Sequence, residues 1–221
     1  MRFKDFHSSN RILILDFGSH LIQNLTGKIR EQGYLCEVHP YDLPHAEIVK
    51  FNPAGLILSG TSELPADFDQ LRQVGGVEKR LNNKVYDLKV PILGICYGYE
   101  LMADQLGGKV ELKDRETGIH QIQLNPSKLF VGLPPVIDAW VNHSNEVTKL
   151  PTGFKTIATN ATRKMAFEHK SKPLFGVQFH PEGPTNDGDV IVKNFLEICG
   201  VYQDPSKSFK DDFFFSKQTY R

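Results

Sequence analysis

The sequence predicts an α/β fold: a mostly parallel, doubly wound sheet flanked by helices, with antiparallel strands added in the C-terminal half. Two observations carry this. In the first half, short apolar runs rich in β-branched residues alternate with stretches whose apolar residues recur at helical spacing, the pattern of parallel strands joined by crossover helices. In the second half, short strand-like pieces follow one another with only turn residues between them, which favours antiparallel neighbours.

The elements follow in order. "RILILDF" (11–17) is a β-rich apolar run that ends at Gly18. In "SHLIQNLTGKIREQG" the residues Leu21, Ile22, Leu25 and Ile29 fall on one helical stripe, and Gly33 suits the C-terminal stop. "LCEVHPY" reads as a second strand, with Pro40 near its end. "AGLILSG" (54–60) is a third, with little alternation, as expected when both faces are covered. A polar stretch that includes "EKRLNNK" leads to "VPILGIC", the fourth strand, and "YGYELMADQLGG" follows as a helix closed by Gly107. Then come the short pieces "KVEL", "IHQIQL", "AWVNHS", "FKTIAT", "KMAFEH" and "LFGVQF". "DVIVKNFLEICG" (189–200) returns to helical spacing, with Ile191, Phe195 and Ile198 on one face and Gly200 as the stop. The tail "DPSKSFKDDFFFSKQTYR" joins charge to a Phe triplet; a helix docked on its own domain and a surface for a partner both fit it.

The 221 residues suffice for one large domain with a substantial core. Residues 11–200 make up that domain, 1–10 an N-terminal extension and 201–221 a tail or the start of a linker. Lys+Arg and Asp+Glu balance at 26 each, so no global field draws the chain to nucleic acid or to an anionic membrane. "MRFKDFHSSNR" has no apolar core of signal-peptide length, and no run is long enough to span a membrane. Cys36, Cys96 and Cys199 are an odd, widely spaced set without a CxxC pair. That favours free thiols in a reducing cytoplasm over a disulfide framework or a zinc site.

One stretch points to chemistry. Gly94-Ile95-Cys96-Tyr97-Gly98 has the form G-x-nucleophile-x-G at a strand-to-helix corner, where close neighbours leave no room for β-carbons beside the nucleophile. The corner also puts the thiol at a helix N-terminus, where the dipole and free N–H groups favour a thiolate and can bind an oxyanion. A small buried hydrophobe is the other reading of Cys96. Cys36, in a strand, and Cys199, near a helix end, fit core packing.

A thiolate nucleophile needs an acid–base partner, and that partner needs a group to orient it. "GVQFHPEG" (176–183) supplies a pair: His180 and Glu182 stand at i and i+2 at a strand end, on the same side. Alone, a His-Pro-Glu there also fits a surface turn. Together with a glycine-flanked cysteine at another strand end it fits a catalytic site, because a doubly wound sheet gathers its strand ends on one edge.

With these residues in place, the chain from about Arg11 to Gly200 resembles the class I (triad) glutamine amidotransferases, and within them the GMP-synthetase type. "ILILDFGSH", "GICYG" and "GVQFHPE" are similar to the opening strand, the nucleophile motif and the His/Glu motif of that family. "RETG" (115–118), "NHSNEVTKLPTGF" (142–154) and "GDVIVKNFLEICG" (188–200) follow the GMP-synthetase type in order and spacing. The resemblance implies hydrolysis of glutamine to glutamate and ammonia, with Cys96 as nucleophile, His180 as acid and base, and Glu182 holding the ring. It further implies an oxyanion site at the backbone of Tyr97 and of the turn near Gly60, no metal or cofactor, and an ATP-pyrophosphatase synthetase subunit or domain as partner.

Several matching positions depart from the family pattern. The usual Ser-Gly-Gly-Pro turn reads Ser59-Gly60-Thr61-Ser62, with a β-branched residue beside the expected oxyanion donor. Glu100 replaces a substrate-contacting glutamine, and the Ser-His-Gly-Asp segment reads Asn142-His143-Ser144-Asn145, its first three residues counted as candidate substrate contacts. No Ser-Gly-Gly-x-Asp-Ser pyrophosphatase loop and no Walker loop occurs, so ATP activation is expected of a partner or of a further domain. Glu100 and the altered turn leave open a γ-glutamyl amide other than glutamine, or a catalytically quiet regulatory module.

Overall fold

The structure is a computed structural model that describes residues 10–62, 80–185 and 187–201. Most of the N-terminal extension, part of the polar stretch before the fourth strand and all but the first residue of the tail lie outside the described residues.

Nine strands form one mixed sheet: β1 (Arg11–Asp16), β2 (Leu35–Pro40), β3 (Gly55–Leu58), β4 (Ile92–Ile95), β5 (Lys109–Leu124), β6 (Val136–Lys149), β7 (Phe154–Asn160), β8 (Arg163–His169) and β9 (Leu174–Val177). Their spatial order is β2-β1-β3-β4-β9-β8-β7-β5-β6. The first five in that order run parallel, and β8, β7, β5 and β6 continue the sheet through antiparallel pairs. This is the expected class. Four α-helices accompany the strands among the described residues: α1 (Ile22–Glu31), α2 (His45–Phe51), α3 (Tyr97–Gln105) and α4 (Asp187–Ile198).

The central parallel strands β1, β3, β4 and β9 are largely apolar because both faces are buried, whereas β2, at the sheet edge, carries Glu37 and His39. Ile12, Ile14, Ile57, Leu93 and Ile95 pack with Leu25 and Ile29 of α1 and with Ile191, Val192, Phe195 and Leu196 of α4. The alternate residues Leu13, Leu15, Leu56, Leu58 and Ile92 pack with Ile48 of α2 and with Tyr99, Leu101 and Met102 of α3. Each such side chain taken from water contributes roughly 1.5–3 kcal/mol before its ordering cost.

Two local expectations change. "KVEL" and "IHQIQL" are one 16-residue strand, β5, whose pairing with β6 shifts register between Leu112 and Glu116. The polar segment between them reads as a break; pairing with β6 is interrupted after Leu112 and resumes at Glu116, so the two pieces form one strand around a bulge. Helix α2 carries no helical apolar stripe in the sequence: only Ile48 of its seven residues is buried. Among the described residues no helix is long and apolar enough to cross a membrane.

Candidate active site

Strands β4 and β9 are parallel neighbours, with Gly94 beside Gly176 and Ile95 beside Val177. The ladder runs one step further, where the Cys96 amide donates to the Val177 carbonyl at 2.8 Å. Cys96 and the segment leading to His180 therefore leave the sheet side by side, although they are far apart along the chain. Their convergence is a consequence of sheet order.

Cys96 occupies the corner between β4 and α3 at φ 51°, ψ −105°, a conformation that side chains other than glycine rarely adopt. Its two glycine neighbours are required by close approach. A β-carbon on Gly94 would stand 2.5 Å from the Gly98 carbonyl oxygen, and one on Gly98 would overlap the backbone of Leu58. The Gly98 amide instead donates to the Ser59 carbonyl at 3.2 Å, tying the first turn of α3 to the turn that follows β3.

That turn is fixed from both ends. The Ser59 hydroxyl accepts from the Phe17 amide at 2.9 Å, the Ser62 amide donates to the Gly18 carbonyl at 2.9 Å, and the Ser62 hydroxyl accepts from the His20 amide. Between them lies Gly60, where a β-carbon would stand 3.2 Å from His180 Cε1 and 3.4 Å from Cys96 Cβ. Gly60, Cys96 and His180 thus border one small space.

His180 is anchored at its backbone by an amide bond to the Trp140 carbonyl at 2.8 Å. Its Nδ1 lies 2.9 Å from Glu182 Oε1, and both side chains are buried. Burial alone would lower the imidazole pKa. The charges of Cys96 and Glu182, with their hydrogen bonds to the ring, outweigh it and hold His180 well above its usual range. An imidazolium between a sulfur and a carboxylate is the result. Burial raises the other two thiols, Cys36 and Cys199.

The remaining candidate residues divide into two groups. Near the thiol, the Asn142 carbonyl oxygen lies 3.8 Å from Cys96 Sγ, and its side-chain oxygen accepts from the Arg115 guanidinium at 3.0 Å. Tyr97 opens α3, directly after the nucleophile. Thr61 lies next to Gly60 in the pinned turn. The others face inward: His143 donates from Nδ1 to the Asn145 carbonyl at 2.9 Å, and Ser144 is buried without a side-chain hydrogen bond among the described residues.

Glu100, which stands where the family pattern has a glutamine, is not an open charge in the structure. It is buried, with Oε1 accepting from Gln178 Nε2 at 2.9 Å and Oε2 from Asn145 Nδ2 at 3.0 Å. Burial pushes its pKa from 4.5 up to about 7, against the pull of the Asn145 and Gln178 hydrogen bonds and of His180. In the unfolded chain the carboxyl ionises first, so stability falls as pH rises from 4.5 to about 7. Above that window the full cost, about 3 kcal/mol, is in place.

Comparison with known proteins bears on what this geometry is for. The family model described as glutamine amidotransferase class-I matches residues 13–199. The chain belongs to the class-I glutamine amidotransferases. This amidotransferase is 41% identical over 206 residues to a glutamine-hydrolysing GMP synthase of Listeria innocua, covering 91% of this chain and 38% of that protein. It is 39% identical over 202 residues to the GMP synthase of Neisseria meningitidis, covering 88% of this chain and 37% of that one. The amidotransferase therefore spans a little over a third of the length of the curated relatives it matches. A GMP synthase subunit of Thermoplasma acidophilum, known from its crystal structure, superposes with a TM-score of 0.74 at 32% identity, covering 86% of this chain and 94% of that one. A glutamine amidotransferase of Thermotoga maritima shares the fold, with a TM-score of 0.58 at 17% identity over 78% of this chain and 76% of that one.

Two polar residues that fall inside the sequence motifs gain a role only once the fold is seen. Asn145 and Gln178 earn notice only through Glu100, which they reach from β6 and from the segment after β9. Gln178 directly follows β9 and stands two residues before His180.

Proposed function

We propose that this amidotransferase hydrolyses glutamine through Cys96, His180 and Glu182 and delivers the ammonia to an ATP-dependent synthetase of the GMP type. The observation that carries the reading is the meeting of Cys96, His180 and Gly60 around one space, with Glu182 bonded to the far side of the ring. The identity to GMP synthases supports the subtype and a synthetase partner or domain.

The steps follow from the placement of the groups. The Cys96 thiolate attacks the side-chain amide carbon of glutamine, forming a C–S bond and an oxyanion. The backbone N–H groups of Tyr97 and Gly60 are the donors for that oxyanion, and loss of one costs on the order of 3 kcal/mol in the barrier. His180 gives its proton to the departing nitrogen, which leaves as ammonia and leaves a thioester. The neutral imidazole then takes a proton from water, hydroxide adds to the thioester, and glutamate departs as the thiolate and imidazolium are restored. Glu182 keeps Nδ1 protonated, so that Nε2 does the proton transfer. The Glu100 carboxylate, which raised the question of a different γ-glutamyl amide, has both oxygens occupied by neighbouring amides.

Glu182→Gln tests the assignment. The amide can present a donor to Nδ1 and so favours the wrong tautomer; glutamine hydrolysis, followed by glutamate release, is expected to fall by roughly 10²–10⁴-fold with the fold intact. A variant that keeps the full rate removes Glu182 from the mechanism.

A further inference from the structure

The buried Glu100 is costly where a neutral residue would fit. Its two oxygens take the amide hydrogens of Gln178 and Asn145, and the oxygens of those two amides accept no hydrogen bond among the described residues. A glutamine at position 100 would accept from Gln178 and, after a turn of the Asn145 amide, donate to Asn145 Oδ1, making as many hydrogen bonds with these two amides as the carboxylate does. Hydrogen bonding alone therefore does not explain a carboxylate here. Burying an ion without a paired cation is among the more expensive things a fold can do.

What the carboxylate adds is charge, at a position that joins the segments around the thiol. Glu100 lies one helical turn beyond Cys96, and its amide donates to the Cys96 carbonyl at 3.1 Å. Asn145 lies on β6, three residues beyond the Asn142 carbonyl that faces Cys96 Sγ. Gln178 lies two residues before His180. One side chain thus joins the three segments that surround the thiol and the imidazole. The charge of His180 lowers the Glu100 pKa against the larger effect of burial, and by reciprocity an ionised Glu100 favours the imidazolium. Besides His180, the ionisable group that interacts with Glu100 among the described residues is Tyr99 on its own helix. Tyr99 is kept neutral, its pKa raised by burial and then by Glu100 and Glu146. Its hydroxyl donates to the Lys164 carbonyl.

We propose that Glu100 is a positioning residue of the catalytic site, its carboxylate clamping the Cys96 helix to the His180 segment and, when ionised, sustaining the protonated imidazole. This rests on the reading of Cys96 and His180 as a reacting pair.

The test is a pH titration of His180 by NMR on histidine-labelled protein, with its signal assigned by loss in His180→Asn. It is run on the native chain and on Glu100→Gln, alongside the pH dependence of glutamine hydrolysis. In the native protein the His180 signal is expected to show a step as Glu100 ionises near neutral pH. In Glu100→Gln that step disappears, His180 loses its proton at a lower pH, and the alkaline limb of kcat/KM moves down with it. A merely structural Glu100 would change rate or stability without moving either midpoint. An unchanged His180 titration in folded Glu100→Gln overturns the proposal. Should that variant not fold, a native His180 signal with no step near neutral pH does the same. If the native chain hydrolyses no glutamine, the proposed function fails instead, and the titration still decides whether Glu100 and His180 are coupled.

Discussion

Cys96→Ser is expected to lower glutamine hydrolysis by about 10⁴-fold or more while leaving the fold in place. A hydroxyl is far less acidic than a thiol, so the variant has no resting anion to attack with, and the sulfur charge that helps keep His180 protonated is lost with it. The exchange of sulfur for oxygen is nearly isosteric, and the backbone at φ 51° is the same for both residues. Stability should therefore change by no more than about 1 kcal/mol. Circular dichroism and a urea midpoint establish the fold, and glutamate release establishes the rate. Hydrolysis at the native rate by a folded Cys96→Ser would remove the nucleophile from the account.

Gly98→Ala carries the second large effect, and it acts through backbone. The new methyl group would overlap the Leu58 carbonyl and stand 2.8 Å from the Leu58 Cβ, in the middle of the sheet where β3 has no freedom to yield. Helix α3 must move outward at its first turn. That stretches the Gly98 bond to the Ser59 carbonyl, the link that sets Cys96 against Gly60. Overpacking of this kind costs about 1–3 kcal/mol, read as a lower urea midpoint. A displacement of the nucleophile by an ångström is expected to cost roughly 10²-fold in kcat. Recovery of both quantities to native values would mean that the corner is looser than its contacts imply.

The parallel half of the fold was legible because strands buried on both faces must be apolar throughout, and β1, β3 and β4 are. Cys96 and His180 were legible for a related reason: each follows a strand, and glycines or proline fix the geometry on the spot. What escaped was structure held by long-range hydrogen bonds. The polar middle of β5 looks like a loop until β6 is laid beside it. Helix α2 needs only Ile48 to dock, too little to leave a periodic signature. Glu100 reads as a pocket charge in one dimension, because its partners Asn145 and Gln178 lie 45 and 78 residues away. The sequence identifies the residue as unusual, but only the packing shows that it faces inward.

The most direct measurement is competition among the three thiols for a chloroketone analogue of glutamine, mapped by mass spectrometry. Cys36 and Cys199 are raised by burial, whereas Cys96 faces an imidazolium beside a space bordered by Gly60. Labelling is predicted at Cys96 alone, at least about 100-fold faster than at the other two, and slowed by added glutamine. Equal, slow labelling of all three thiols, indifferent to glutamine, would contradict the claim that Cys96 and His180 form a glutamine-hydrolysing pair.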